Sequence, residues 1–487
     1  MLQHIRRLTH HSLVYGIGHI MSRFLGFLLL PIHTHVLPPD VYRTPALLFS
    51  SLAILNVLFS YGMDVAFLRY FILEKNLEAK KRIFSTAFWM IGITGLVFSG
   101  LIFLFPKPMS ILIFEDPAWT GLIRLAAGIL LADALCLLPF LVLRAEEKSL
   151  YFVIIKTVNI IMNLALNALF VVNLRRGVEG IFEANLVASV LTLILLLPLL
   201  FRWLRIHFRV NLLRELLHFG LPYVPSGLAI IIMDQIGRFF LDRIQGKAEA
   251  GLFSANYKLG MFMALLVAAF RFAWHPFFLS IAEKQEAPRV YARVLTYFLL
   301  IAGWILLGVS LFIEEIISIH VGPYYLMGKG FGQGTVIVPL ILAAYAAYGV
   351  YVNLIVGVYI RKKTLWLPLV TGAGALVAVV SNLLLVPMFS IQGAAWATLL
   401  AYATMAGCLF IVNQRLFHVP YEGWRFVHVV VITGILFWTG WTLDFPVWGR
   451  AILVAGYWPL FMVTGFLNHE EREWIKDRFL GGVRRKT

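Results

Sequence analysis

Several ionisable and amide side chains stand inside otherwise apolar runs, and their spacing decides what chemistry they offer. His19 and Arg23 are one helical turn apart, so on a helix both project from one face. Gly16, Gly18, Ser22 and Gly26 surround them and would let a neighbouring backbone approach closely. Lys258 and Arg271 share one apolar run with no acid between them. Cations are costly in hydrocarbon, so they mark a wet cavity or a partner. Facing one cavity, Arg23, Lys258 and Arg271 complement a phosphate or pyrophosphate. Arg69, near the end of the second run, either joins that cavity or snorkels to the interface.

Three further sets leave two readings each. Asn159, Asn163 and Asn167 recur every four residues, with Lys156 one turn before. That stripe suits either hydrogen bonds between helices or the hydroxyls of a sugar. Asp234, Arg238 and Asp242 stand at i, i+4 and i+8, which permits either a self-neutralising ion-pair ladder or a proton- or cation-responsive switch at Asp234. Asp64, two residues after Gly62, has the depth to pair with an arginine of another helix. Tyr345, Tyr348 and Tyr351 share a face and are read as helix packing. Arg124, Asp133 and Glu183 are read as pairing partners. No G-x-S-x-G, H-E-x-x-H or P-loop pattern occurs, and His33, His35, His207 and His275 form no ligand set. No enzyme activity, cofactor or metal is expected.

The elements that must carry these residues follow from composition. Of 487 residues, 60% are hydrophobic and 14% charged, and the mean hydropathy is +0.85. Such a surface does not stay dispersed in water. An all-α integral membrane protein of about 14 helices is expected. Apolar runs long enough to cross ~30 Å of hydrocarbon fall at 13–36, 45–71, 83–105, 119–143, 150–173, 179–201, 217–241, 250–274, 294–313, 336–360, 364–388, 391–413, 424–443 and 445–467. Cys136 and Cys408 lie within spans and are read as packing residues. The basic start at Arg6 and Arg7 runs into a long span without an A-x-A-like site, so no cleavable signal is expected.

The net charge of +16 would suit nucleic acid, but its distribution argues for topology instead. Alternate loops carry about 26 Lys and Arg on the side of the N-terminus against about 8 on the other, as the positive-inside rule requires. Both termini are then cytoplasmic, with Arg175 and Arg176 as the clearest exception. The basic, amphipathic stretch 202–216 suits a helix lying on anionic lipid. It also divides the chain into a lobe of six helices at 1–205, a second lobe of six at 206–413, and two further helices with a basic tail at 414–487. Two six-helix halves enter the membrane in the same direction, as parallel repeats do. The outward loop at 314–335 is rich in glycine and reads as turns.

The stretch Ser22-Arg23-Phe24-Leu25-Gly26-Phe27-Leu28-Leu29-Leu30-Pro31, followed by Val36-Leu37-Pro38-Pro39-Asp40-Val41-Tyr42, resembles the opening of the polysaccharide-biosynthesis flippases. These are the Wzx-type members of the MOP exporter superfamily, which also holds the lipid II flippase and the MATE exporters. Gly62-Met63-Asp64, Leu68-Arg69-Tyr70, the run from Gly251 to Gly260 and Ala273-Trp274-His275-Pro276-Phe277 are similar to the same family. The resemblance implies two six-helix lobes in a V around a central cationic cavity, working by alternating access. Arg23 matches the family's Ser-Arg position and Lys258 its Tyr-Lys position. Two positions depart from the family's usual pattern: Thr34-His35 stands for Thr-Arg, and Gly237-Arg238 for Asp-Arg.

The expectation is therefore a flippase that carries a polyprenyl-(pyro)phosphate-linked oligosaccharide from the cytoplasmic to the outer leaflet of the inner membrane. Its partners would be that lipid-linked saccharide, the bilayer and other polysaccharide-assembly membrane proteins, and not nucleic acid. A MATE-like cation antiporter is the alternative, opposed by the repulsion of cations from Arg23, Lys258 and Arg271. A glycan polymerase or ligase is the third, opposed by the short outward loops.

Overall fold

In lipid every backbone polar group must be satisfied within the protein, so apolar runs of this length fold as helices. The computed structural model describes residues 27–361, 363–443 and 445–466, with Pro276 as backbone only. Nineteen α-helices are described, each of five residues or more. A short helix α1 (Leu30–Val36) precedes α2 (Pro39–Ser60), which opens with proline at its first position, where a missing N–H costs nothing. Tyr61 and Gly62 are both left-handed, at φ 52° and 69°. They break the second span and redirect the chain into α3 (Met63–Leu73).

α4 (Leu77–Leu104) starts at Asn76, whose side chain accepts the N–H groups of Glu78 and Ala79. α5 (Pro106–Phe114), α6 (Thr120–Ala145), α7 (Ser149–Asn167) and α8 (Gly177–Trp203) follow. α7 continues through a π-helical segment, Ala168–Asn173. Of the predicted surface stretch 202–216, the part from 210 is helical, in α9 (Val210–Gly220), which leads into α10 (Val224–Ile244).

The eighth span divides at Met261 into α11 (Lys247–Gly260) and α12 (Phe262–Ser280). α13 (Ala287–Leu311) and α14 (Ile313–Ile317) precede a small hairpin, His320–Val321 paired antiparallel with Tyr324–Tyr325. α15 (Val338–Leu354) and α16 (Val356–Ile360) follow. α17 (Trp366–Leu416) has 51 residues, about 76 Å if straight and too long for one crossing. It bends back at Ser390, φ 47°, and Gly374 on one arm abuts the Ala401 carbonyl on the other. One continuous helix is thus two passes, matching the two predicted spans. α18 (Gly423–Thr442) and α19 (Val447–Val463) complete the described chain. The protein is all-α and multi-pass: eleven described helical segments are long and apolar enough to cross a membrane, before the bend in α17 and the shorter α19 are counted separately.

Contact density divides the chain into two compact units. One unit comprises residues 1–280 and 318–417, and the other 281–317 and 418–487. In the smaller unit α13 packs against α18 and α19 around Leu307, Leu436, Tyr457 and Phe461. The Tyr457 hydroxyl donates to the Leu300 carbonyl at 3.0 Å, and Gly303 lies beneath it because a Cβ there would come within 2.5 Å of that hydroxyl. Arg450 closes the unit with an ion pair to Glu315 at 2.7 Å.

Candidate functional site

In the larger unit, α10 carries a polar cluster that draws partners from four other helices. Tyr257 of α11 donates to Asp234 Oδ1 at 2.6 Å. Tyr345 of α15 donates to the same oxygen, and Tyr402 of α17 reaches it at 3.4 Å. Gln235 Nε2 donates to the other carboxylate oxygen at 2.7 Å, and Ser50 of α2 donates to Gln235 Oε1 at 2.7 Å. One turn on, buried Arg238 donates to the Asp234 carbonyl at 3.0 Å and to Gln235 Oε1. Its guanidinium also lies 4.5 Å from the centre of the Tyr257 ring.

The ladder that the i, i+4, i+8 spacing allows is not how these groups pair. Asp242 receives both hydrogen bonds of Arg43 Nη1, at 2.6 and 2.7 Å, with the two side chains 6% and 3% exposed. Asp234 is held by tyrosines, and Arg238 has no carboxylate partner among the described residues. A base preceding its acid by four residues is the weaker order on a helix, so Arg238 and Asp242 gain little from each other. A cation on a facing helix gives Asp242 a better geometry. Sequence reading missed Arg43 because it precedes the apolar run that begins at 45. Proline at 39 and Asp40 in the first turn were the available signal that the helix starts earlier.

A cavity of about 420 Å³ lies near the Tyr61–Gly62 bend. Asp64, Arg271, His275, Tyr351 and Tyr359 line it, with the starts of α10 and α17. Arg271 Nη1 donates to the Tyr348 hydroxyl at 3.3 Å, and Tyr348 stacks on Tyr351. His275 Nδ1 engages the Arg271 carbonyl at 3.1 Å, while its Nε2 is buried with no partner. Arg271, His275, Tyr351, Tyr359 and the Asp64 carboxylate thus line one open space. The Arg271 guanidinium in that lining suits an anion and the Asp64 carboxylate a cation.

The remaining candidates among the described residues lie apart from this cavity. The Lys258 ammonium is 5.5 Å from the centre of the Tyr42 ring, and Lys258 and Arg271 are separated by the break at Met261. Arg69 stacks at 4.3 Å on Phe219 of α9 and lines a different cleft. His19 and Arg23 lie outside the described residues. The amide stripe of α7 is hydrogen-bonded within the protein. Asn159 donates to Thr192 at 2.9 Å and to the Ala188 carbonyl at 3.2 Å. Asn167 donates to Asn163 Oδ1 at 2.8 Å and bonds the His33 ring at 2.9 Å through its own oxygen. Lys156 sits 4.2 Å over the Phe140 ring. Of the three read as pairing partners, Glu183 pairs with Arg176 at 2.6 Å, Asp133 accepts from Ser189 at 2.9 Å, and the Arg124 guanidinium lies 5.7 Å from the Phe103 ring centre.

The pattern of a family described as polysaccharide biosynthesis protein matches residues 8–282. No curated protein matches the chain. Among solved structures, the lipid II flippase MurJ in an inward closed conformation is similar over 95% of this chain and 100% of its own, at a TM-score of 0.74 and 15% identity. A point mutant of the Vibrio cholerae MATE transporter VcmN is similar over 84% of this chain and 96% of its own, at 0.63 and 14%. An inward-facing multidrug resistance MATE transporter of the MOP superfamily is similar over 83% and 97%, at 0.65 and 14%. At such identities the likeness is one of fold.

Proposed function

The chain belongs to the polysaccharide biosynthesis protein family, and on that premise we propose that it flips a polyprenyl-(pyro)phosphate-linked oligosaccharide from the cytoplasmic to the outer leaflet of the inner membrane. The observation that carries this reading is the cavity at Arg271. Its lining brings together the Arg271 guanidinium, His275 and the tyrosines Tyr351 and Tyr359. A charged head cannot cross ~30 Å of hydrocarbon bare, and such a lined space replaces its hydration. The prenyl tail needs no such path, because lipid already solvates it.

In this reading the lobes 1–205 and 206–413 rock about the bilayer midplane, both termini are cytoplasmic, and Arg23 and Lys258 extend the cationic path. In the same reading, other polysaccharide-assembly proteins supply and remove the saccharide. The test is transfer of a labelled lipid-linked saccharide in proteoliposomes. Arg271→Ala is expected to lower the transfer rate about tenfold or more, the effect of losing one charge-assisted contact in a partly desolvated site. Wild-type transfer by that variant would sink the cavity mechanism.

Asp64 in the same cavity favours a second reading, exchange of an organic cation. Drug efflux from sensitised cells that depends on Asp64, without saccharide transfer, would select it.

A further inference from the structure

A cleft of about 900 Å³ opens where α3 ends, α4 begins and α9 begins. Each segment contributes one arginine to its lining: Arg69, Arg82 and Arg209. Among the described residues none of the three forms an ion pair with a carboxylate. Arg69 is braced on the Phe219 ring, and Arg82 Nε donates to the Glu78 carbonyl at 3.3 Å. The Arg209 backbone N–H reaches Thr86 Oγ1 at 3.4 Å, which ties the start of α9 to α4. Two carboxylates also line the cleft, but Glu74 already accepts the N–H groups of Lys75 and Asn76 at 2.8 Å. The cleft is net cationic.

Its surroundings are apolar and exposed. Leu73 and Val210 in the lining are 71% and 62% exposed, and Ile206, just ahead of Arg209, is wholly exposed. Surface of that kind belongs in the headgroup and acyl boundary of a bilayer. A cationic floor beneath a lipid-facing rim selects an amphiphile with an anionic head. The volume decides which one. It is more than twice the 420 Å³ of the Arg271 cavity, far more than one phosphodiester fills. Tyr70, Asn211 and Glu215 add groups that hydrogen-bond sugar hydroxyls.

We propose that this cleft is a reception site for the pyrophosphate and proximal sugars of the lipid-linked saccharide, occupied before the head enters the Arg271 cavity. The proposal rests on the flippase reading and adds to it a second, separate anion site. Arg69 belongs to reception rather than to the translocation cavity. Arg82 and Arg209 bind phosphoryl oxygens, and the exposed leucine and valine guide the prenyl tail.

The test uses the full chain in nanodiscs of zwitterionic lipid, titrated separately with a polyprenyl-pyrophosphate saccharide, phosphatidylglycerol and inorganic pyrophosphate. Wild type is expected to bind the saccharide lipid, and an Arg82→Gln, Arg209→Gln double variant to bind it about tenfold more weakly. An Arg82→Lys, Arg209→Lys variant, which keeps the charge and so guards against misfolding, should fall between the two. No wild-type binding, unchanged binding by the glutamine variant, or displacement by equimolar phosphatidylglycerol overturns the proposal. Failure of the flippase reading has a different signature: arginine-dependent binding by wild type with no labelled head carried across proteoliposomes.

Discussion

The two ends of α2, about 33 Å apart, meet later parts of the chain through opposite chemistry. At the Arg43 end the seam is ionic. A buried ion pair joins α2 to Asp242 of α10, and exposed Arg243 pairs with Glu115 at 3.1 Å. Backbone contact reinforces it, because a Cβ on Gly251 would lie 1.8 Å from the Pro39 carbonyl oxygen. Beyond the other end, past Ser60, no ion pair crosses the seam among the described residues, and Arg69 lies over the Phe219 ring at 4.3 Å. Gly62 meets Gly220 backbone to backbone, and a Cβ on Gly62 would lie 2.1 Å from the Gly220 oxygen. The Arg271 cavity lies on that side. An ionic seam opens when water or a competing charge solvates its partners, whereas the glycine seam opens with dispersion and the Arg69–Phe219 contact to lose. The seam beside the cavity is therefore the easier to part.

Breaking the ionic seam from one side should have the largest effect. Arg43→Gln leaves Asp242 buried without its cation and is expected to cost about 3–5 kcal/mol, read as a fall in thermal unfolding temperature in detergent. Replacing both partners, Arg43→Met with Asp242→Leu, should recover most of that loss. Equal instability of the single and double variants would mean that packing, not charge, holds this end.

The glycine seam should respond next. Gly62→Ala combines a left-handed φ of 69° with overlap on the Gly220 carbonyl, and the strain alone is of order 1–2 kcal/mol. The seam should part, so a cysteine introduced at Ser226 should label faster with a membrane-impermeant thiol reagent. Unchanged labelling would break the contrast between the seams. The smallest effect is expected between them, at Ser50→Ala. Removing the donor to Gln235 should cost about 0.5–1.5 kcal/mol, with little change in labelling at either end.

Legibility from sequence differed by kind of feature. Span positions were readable because hydrocarbon imposes length and apolarity locally, so 179–201 falls within α8 and 83–105 overruns the end of α4 by one residue. Even the turn inside α17 was readable from the gap between 388 and 391, although the helix is nominally continuous. The site was readable in part. Arg271 was singled out as an unpaired cation within an apolar run, and it lines the cavity. Lys258 was singled out on the same grounds and lies against Tyr42 instead. The tyrosine stripe read as packing supplies, through Tyr345, a donor to Asp234. Spacing along one helix says which residues share a face, not what that face meets.

By itself, the amino-acid sequence determined that this is a multi-pass helical membrane protein and which polar residues stand inside its spans. Both follow from the cost of bare backbone and bare charge in lipid, paid residue by residue. Only the tertiary structure decided the pairings. Arg43 and Asp242 are 199 positions apart, His33 and Asn167 are 134 apart, and Tyr402 reaches Asp234 across 168. A buried charge must find some partner, but which one depends on the helix that packs against it. That packing also separated the arginines that sequence had grouped, giving Arg271 to one cavity and Arg69 to another cleft.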